Sequence, residues 1–168
     1  MHCKYSLLTV IASLLFVSLG GCGASQQLKQ GGEVNAMERR IINPWTWQEM
    51  LGFVQSNEVT DAKRMLFTAG IVSVDGEGNL LYPGDMVNQV EQILDNLEVL
   101  LDQAGFELAD VVRFTYYTTD IPGFTSAAKT GLVKRLTEAG CKPATSLIGV
   151  QSLFHPDCVV EIEAIVVN

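Results

Sequence analysis

The chain has 168 residues, with 11 Lys and Arg against 19 Asp and Glu and a formal charge of −8 at pH 7. That length allows one domain with a sizeable core plus a short leader. The acidic balance argues against a nucleic-acid partner, which would need a basic face, and is that of an ordinary soluble surface.

Residues 1–21 are expected to be a leader rather than part of the fold. Lys4 supplies the positive start, and the apolar run 7–19 is too short to span a bilayer comfortably as a permanent helix. It ends Leu19-Gly20-Gly21-Cys22. Small residues before a cysteine at the end of an apolar run resemble a bacterial lipobox, which implies that Cys22 is acylated and becomes the mature N-terminus. An ordinary secretory signal with a chance cysteine is the alternative. Gly23 in place of an aspartate favours an outer-membrane address, on the periplasmic side, in a cell with two membranes. Residues 22–37 are polar, glycine-containing and aperiodic, and read as a tether averaging roughly 20 Å end to end. Several acyl chains anchor stably where one does not. The domain proper is 38–168.

Asn43-Pro44-Trp45-Thr46-Trp47 opens that domain. Its two tryptophans either flank a ligand slot or pack an entry segment onto the sheet. Strands are expected over 52–59 and 64–74, then a turn at Asp75-Gly76-Glu77-Gly78 and a short strand 80–82. The glycines of that turn are no phosphate loop, since no GK[ST] or strand-to-helix context follows. Pro83-Gly84-Asp85 starts a helix in which Val90, Ile93, Leu94, Leu97, Leu101 and Ala104 form one buried stripe. Asp85 is its N-cap and Gly105 its end. Residues 111–119 make a strand with Val112, Phe114 and Tyr116 on one face and Arg113, Thr115, Tyr117 and Thr119 on the other. Asp120-Ile121-Pro122-Gly123 breaks it, and a second helix is expected over 126–138, closing at Gly140.

Lys142-Pro143 starts an extended run, because proline pushes its predecessor out of the helical region. Over 146–152, Ile148 and Val150 alternate with Leu147, Gly149 and Gln151. After the turn at His155-Pro156-Asp157, the final strand 159–167 has wholly apolar even positions, Val160, Ile162, Ala164 and Val166. Its odd positions set Glu161 and Glu163 beside Ile165 and Val167. Strands, helix, strand, helix, strand, strand describes an α+β fold with two helices on one sheet face. The other face is mixed rather than solvent-like, with Thr115, Tyr117, Leu147, Gln151, Glu161 and Ile165 assigned to it, so something must cover it.

Pro143-Ala144-Thr145-Ser146, the closing VEIEA, and upstream FTAGIVSVDGEGNLLYPGDM, QILDNLEVLLDQAGFELADVVRFTYYTTD and LTEAGCKPA together resemble the Rid/YjgF family of reactive-intermediate (enamine/imine) deaminases. The resemblance runs from about residue 43 to the end. It implies a chorismate-mutase-like fold, a homotrimer and small-molecule clefts between subunits, with no cofactor. In deaminating members an arginine after Pro-Ala grips the substrate carboxylate, a glutamate in the last strand helps position the hydrolytic water, and a glycine near the second strand contacts the ligand. The last two correspond here to Glu161 and Gly70. The alternatives are a strand acid at a subunit seam for Glu161 and a bend or bulge for Gly70; Glu163 is read as structural.

Where the family has its arginine, this chain has Thr145. Guanidinium is a charged planar fork that matches a carboxylate in two bonds, whereas threonine offers one neutral hydroxyl on a shorter stem. The expected ligand-binding residues are therefore Gly70, Thr145 and Leu147, with Glu161 as the catalytic carboxylate. The expected activity is hydrolysis of an imine or enamine without a carboxylate; the alternatives are a non-catalytic small-ligand binder and an envelope scaffold or holdase trimer. Plain imino-acid deamination is disfavoured. Cys141 and Cys158 remain after processing; export permits a disulfide between them, but spacing does not establish one. Neither has companions at metal-ligand spacing, and His155 reads as a turn residue, so no metal is expected.

Overall fold

The computed structural model describes residues 36–168. The leader, Cys22 and most of the tether lie outside the described residues. Six strands and three α-helical segments form an α+β layer pair. β1 (Glu38–Ile42) and β2 (Ser56–Thr60) make an antiparallel pair. β3 (Met65–Phe67), β4 (Val111–Thr118), β5 (Ala144–Gly149) and β6 (Val160–Val167) form a sheet in the order β3-β6-β4-β5. Within this sheet β4 and β5 pair in parallel, and the other neighbouring strands pair antiparallel.

The helices cover one sheet face. α1 (Met86–Ala104) begins where the Asp85 carboxylate accepts from the Asn88 amide at 3.1 Å and ends at Gly105, whose φ of +69° suits the left-handed cap. Its stripe, Val90, Ile93, Leu94, Leu97 and Leu101, is buried against Phe114, Val160, Ile162, Ala164 and Val166. The expected core periodicities are thus both present, at period 3.6 on the helix and period 2 on the strands.

The second helix begins earlier than residue 126. α2 (Ile121–Ala127) starts at Asp120, whose carboxylate accepts from the Gly123 amide at 3.0 Å. Pro122 lies in the first turn, where the missing N–H costs nothing. The Asp-Ile-Pro-Gly signal both ends the strand and opens the helix. A π-helical turn, Ala128–Leu132, then leads into α3 (Val133–Glu138). Arg135 of α3 reaches Glu91, Asp95 and Glu98 on α1 at 3.2, 2.7 and 3.1 Å, locking the two helices across their outer side.

The early strands are shorter than their apolar runs. Gly52 (φ +73°) ends a 3₁₀ turn, Glu49–Leu51, and only at Val54 does the chain meet the sheet edge, its amide donating to Pro143 O at 2.9 Å. Between the Thr68–Ala164 and Ile71–Ile162 pairings, two residues, Ala69 and Gly70, stand opposite one. That is a β-bulge, and it cuts the expected strand 64–74 down to β3. Residues 80–82 keep a single bridge, Val74 to Leu80.

β1 has no periodic signal in its sequence, ERRII; tertiary hydrogen bonds place it. The Arg39 guanidinium donates to Asn57 Oδ1 (2.9 Å), Ala109 O (2.9 Å), Val111 O (3.2 Å) and Lys142 O. One side chain so ties the β1–β2 pair to the start of β4 and the entry to β5. Three of its four acceptors are backbone carbonyls far away in sequence, which no local pattern reveals.

Candidate functional site

The strand register decides where each candidate residue faces. Phe114 pairs with Thr145 and Tyr116 with Leu147, so Thr145 and Leu147 share the helix side of the sheet. This corrects the expectation that Leu147 lies with Thr115, Tyr117 and Glu161. Alternation on an edge strand separates two sets of residues without saying which set meets the helices. Gln151 falls beyond β5 and is exposed. The open face instead carries Arg113, Thr115, Tyr117, Ser146, Ile148, Glu161, Glu163 and Ile165, joined by Met65 and Phe67 of β3. Met65 and Phe67 are 58% and 65% exposed, far more than side chains on a finished face of a β-sheet would be.

Thr145 and Leu147 line a cavity of about 150 Å³ between β5, the 3₁₀ turn and the α2–π–α3 segment. Its walls are largely apolar, built from Phe53, Tyr116, Phe124, Leu132 and Leu136. Tyr116 is buried, and burial, with a smaller contribution from Cys141, holds its phenol far above the ordinary value, so it stays neutral. Among the lining residues only Lys129 is charged, and it is exposed. Trp47 packs edge-on against Phe53, ring centroids 5.9 Å apart at 76°. Phe53, Tyr116 and Lys129 are additions to the expected residues. Trp47 does not itself line the cavity and, like Trp45, is largely exposed.

Gly70 and Glu161 come together on the other side of the sheet. A Cβ at Gly70 would collide with Glu161 Oε1 and stand 2.9 Å from its Cγ, so the glutamate lies directly against the bulge. The bulge and the close approach are therefore one feature. Burial first, and then the charge of Glu163, raise the Glu161 carboxyl above the ordinary range. Glu163 is occupied otherwise: Tyr117 Oη donates to its Oε2 at 3.0 Å. That bond, ahead of burial and the acids' charges, raises the Tyr117 phenol. One glutamate is tied down and the other is left with a free, basic carboxylate. Arg113 donates to Ser146 Oγ at 2.9 Å on this face, and so does not stand in for the missing arginine beside Thr145.

The raised carboxyl has a consequence for stability. In the folded chain Glu161 holds its proton to higher pH than in the unfolded chain, so stability falls as pH rises from the ordinary carboxylate range through the raised value. Below that range the cost is absent. Glu161→Gln should therefore be more stable than wild type at neutral pH, with the gain disappearing below about pH 4. Urea unfolding at the two pH values measures this; an equal difference at both would show that the charged form carries no penalty.

Cys141 and Cys158 are both free thiols. Burial pushes Cys141 up to about 12 despite the nearby Arg39, and burial followed by Glu161 and Asp157 also raises Cys158. Neither is an activated nucleophile. Among the described residues no group of three or more His, Cys, Asp or Glu is placed to hold a metal ion.

A helix-backed α+β sheet whose last strand presents a free glutamate to a glycine bulge defines the class. The profile of the family described as Endoribonuclease L-PSP matches residues 50–168, and the chain belongs to this family, the Rid/YjgF proteins. It is similar to 2-iminobutanoate/2-iminopropanoate deaminase of Escherichia coli, 30% identical over 64% of this chain and 83% of that one. A RutC family protein of Pyrococcus horikoshii is 33% identical over 65% and 83% of the two chains. Among solved structures, the Rid-family protein YyfB of Yersinia pestis superposes with a TM-score of 0.69 at 35% identity, covering 77% of this chain and 98% of that one. TdcF of Escherichia coli, solved with bound serine, matches at 0.56 and 28%, over 69% and 87%. The α+β fold with its helices on one face is that of these neighbours.

Proposed function

We propose that this RidA-like protein binds a small molecule in a cleft between subunits and hydrolyses an imine or enamine that lacks a carboxylate. The observation that carries this reading is the split site. The Thr145–Leu147 cavity and the Gly70–Glu161 pair lie on opposite faces of one sheet, so a ligand touching both must draw them from two copies. The exposed apolar side chains of the open face supply a surface for that second copy, and the family resemblance supplies the number three.

In the assembled cleft, water adds to the carbon of the C=N bond. Glu161 takes a proton from the water and passes it to nitrogen, giving the carbinolamine (an enamine first tautomerises to the imine). It then carries the hydroxyl proton to nitrogen, the C–N bond breaks, and ammonia or an amine leaves behind a carbonyl compound. A carboxyl held above its ordinary pKa suits both halves of that transfer. The apolar cavity walls also favour a second reading, a ligand-binding trimer without turnover. An assembly test comes first for either. The mature chain, 22–168, produced without its leader, should be trimeric by light scattering at micromolar concentration, and a monomer would remove the cleft from both readings.

We place the protein outside the cytoplasm, lipid-anchored through Cys22 to the periplasmic side of the outer membrane where two membranes exist, with the 22–37 tether holding the trimer near the surface. The acidic chain is not suited to nucleic acid despite the family's description as an endoribonuclease. In cells, the protein should fractionate with membranes and incorporate labelled acyl chains. Cys22→Ser should abolish the labelling completely; equal labelling of both would end the lipoprotein reading.

A further inference from the structure

We infer that the cavity beside Thr145 selects a ligand with a neutral apolar body about the size of a benzene ring, and that Phe53 is the wall that sets that size. The inference rests on reading the cavity as a ligand half-site and adds the ligand class. Three observations carry it. The pocket, open to solvent at its mouth, has a volume of about 150 Å³, the size of an apolar cavity that takes up benzene. The polar groups among its lining residues are few: the buried, neutral Tyr116 phenol, the hydroxyls of Thr125 and Thr145, and the exposed Lys129 ammonium. Phe53 is a partly exposed lining residue with the Trp47 ring edge-on against it, so it stands at the cavity's rim, where its ring limits the opening. A small polar acid would lose its hydration there with no buried counter-charge in return.

The chain has two tryptophans, and one of them, Trp47, touches the Phe53 ring, which gives a readout free of any assay of turnover. Benzyl alcohol and pyruvate are titrated into the mature chain, 22–168, while tryptophan emission is followed and calorimetry runs in parallel. Benzyl alcohol should change the emission saturably, with pyruvate at least tenfold weaker. Thr125 lies exposed at the mouth on α2, and its hydroxyl donates only along its own helix, to Ile121 O at 2.9 Å. Thr125→Phe should therefore plug the cavity without unfolding the chain and weaken benzyl alcohol at least tenfold. Phe53→Ala should shift the preference from benzyl alcohol to 2-naphthylmethanol. Benzyl alcohol binding that survives Thr125→Phe unchanged would mark adventitious contact with tryptophan and overturn the inference. Pyruvate binding in preference to benzyl alcohol, again sensitive to Thr125→Phe, would overturn the ligand class and leave the half-site standing. No binding of either probe to a confirmed trimer would overturn both.

Discussion

Wild-type protein should release little or no ammonia from freshly generated 2-iminopropanoate, and Thr145→Arg should raise that activity. Charge-assisted hydrogen bonds contribute roughly 1.5–3 kcal/mol each. Losing a bidentate pair therefore weakens recognition of a carboxylate by about two to four orders of magnitude, at tenfold per 1.4 kcal/mol. The structure sharpens the argument, because Thr145 faces an apolar cavity whose lining holds one charged side chain, the exposed Lys129. An exposed ammonium on a long stem contributes little to a fixed ion pair. Arginine at 145 would place a guanidinium at the same mouth, while Gly70 and Glu161 already stand together on the other half-site. The gain is expected to be smaller than the deficit, since Phe53, Tyr116 and Leu147 form an apolar wall around the new side chain. Adding Glu161→Gln should remove the activity again, as the amide keeps the shape without the basic oxygen. An arginine-bearing family member serves as control. Wild-type turnover equal to that control would refute the role given to Thr145.

Mixing two proteins that are each inactive on 2-iminopropanoate should restore that activity. The double variant Thr145→Arg, Glu161→Gln carries a carboxylate grip but no base, whereas wild type carries the base but no grip. Because the two half-sites lie on opposite sheet faces, each cleft of the proposed trimer would take one half from each neighbour. After unfolding and refolding together in equal amounts, about a quarter of the clefts should pair arginine from one chain with Glu161 from the other. The mixture should then show about a quarter of the activity of the Thr145→Arg homotrimer. Separately refolded samples, combined afterwards, serve as the blank. If the mixture is as inactive as that blank while Thr145→Arg alone is active, the site is contained in one chain and the split-cleft reading fails.

Much of the fold was legible because burial imposes periods on a sequence. The α1 stripe from Val90 to Leu101 and the even positions of β6 read correctly, since each repeats with the geometry of its own element. Gly70 and Glu161 were legible as candidates only through their motifs, FTAG and VEIE, and their contact across the bulge needed the folded chain. The start of α2 was present in Asp120 and Pro122, signals that end a strand and cap a helix alike.

What the sequence determined by itself was the class of fold, the identity of its apolar faces and the missing charge at Thr145. The first two depend on residue type and on spacing within one element; the third is read against the family pattern that Pro143-Ala144 resembles. Tertiary structure decided which side of β5 meets the helices, that Arg39 pins a strand with no pattern of its own, and that Phe53 and Tyr116 line one cavity with Thr145. It also left Glu161 free by giving Tyr117 to Glu163. Those outcomes depend on contacts between residues distant in the chain, on register at a sheet edge and on one extra residue in a bulge. Such geometry arises only when separate elements pack, so no periodicity within any one of them encodes it.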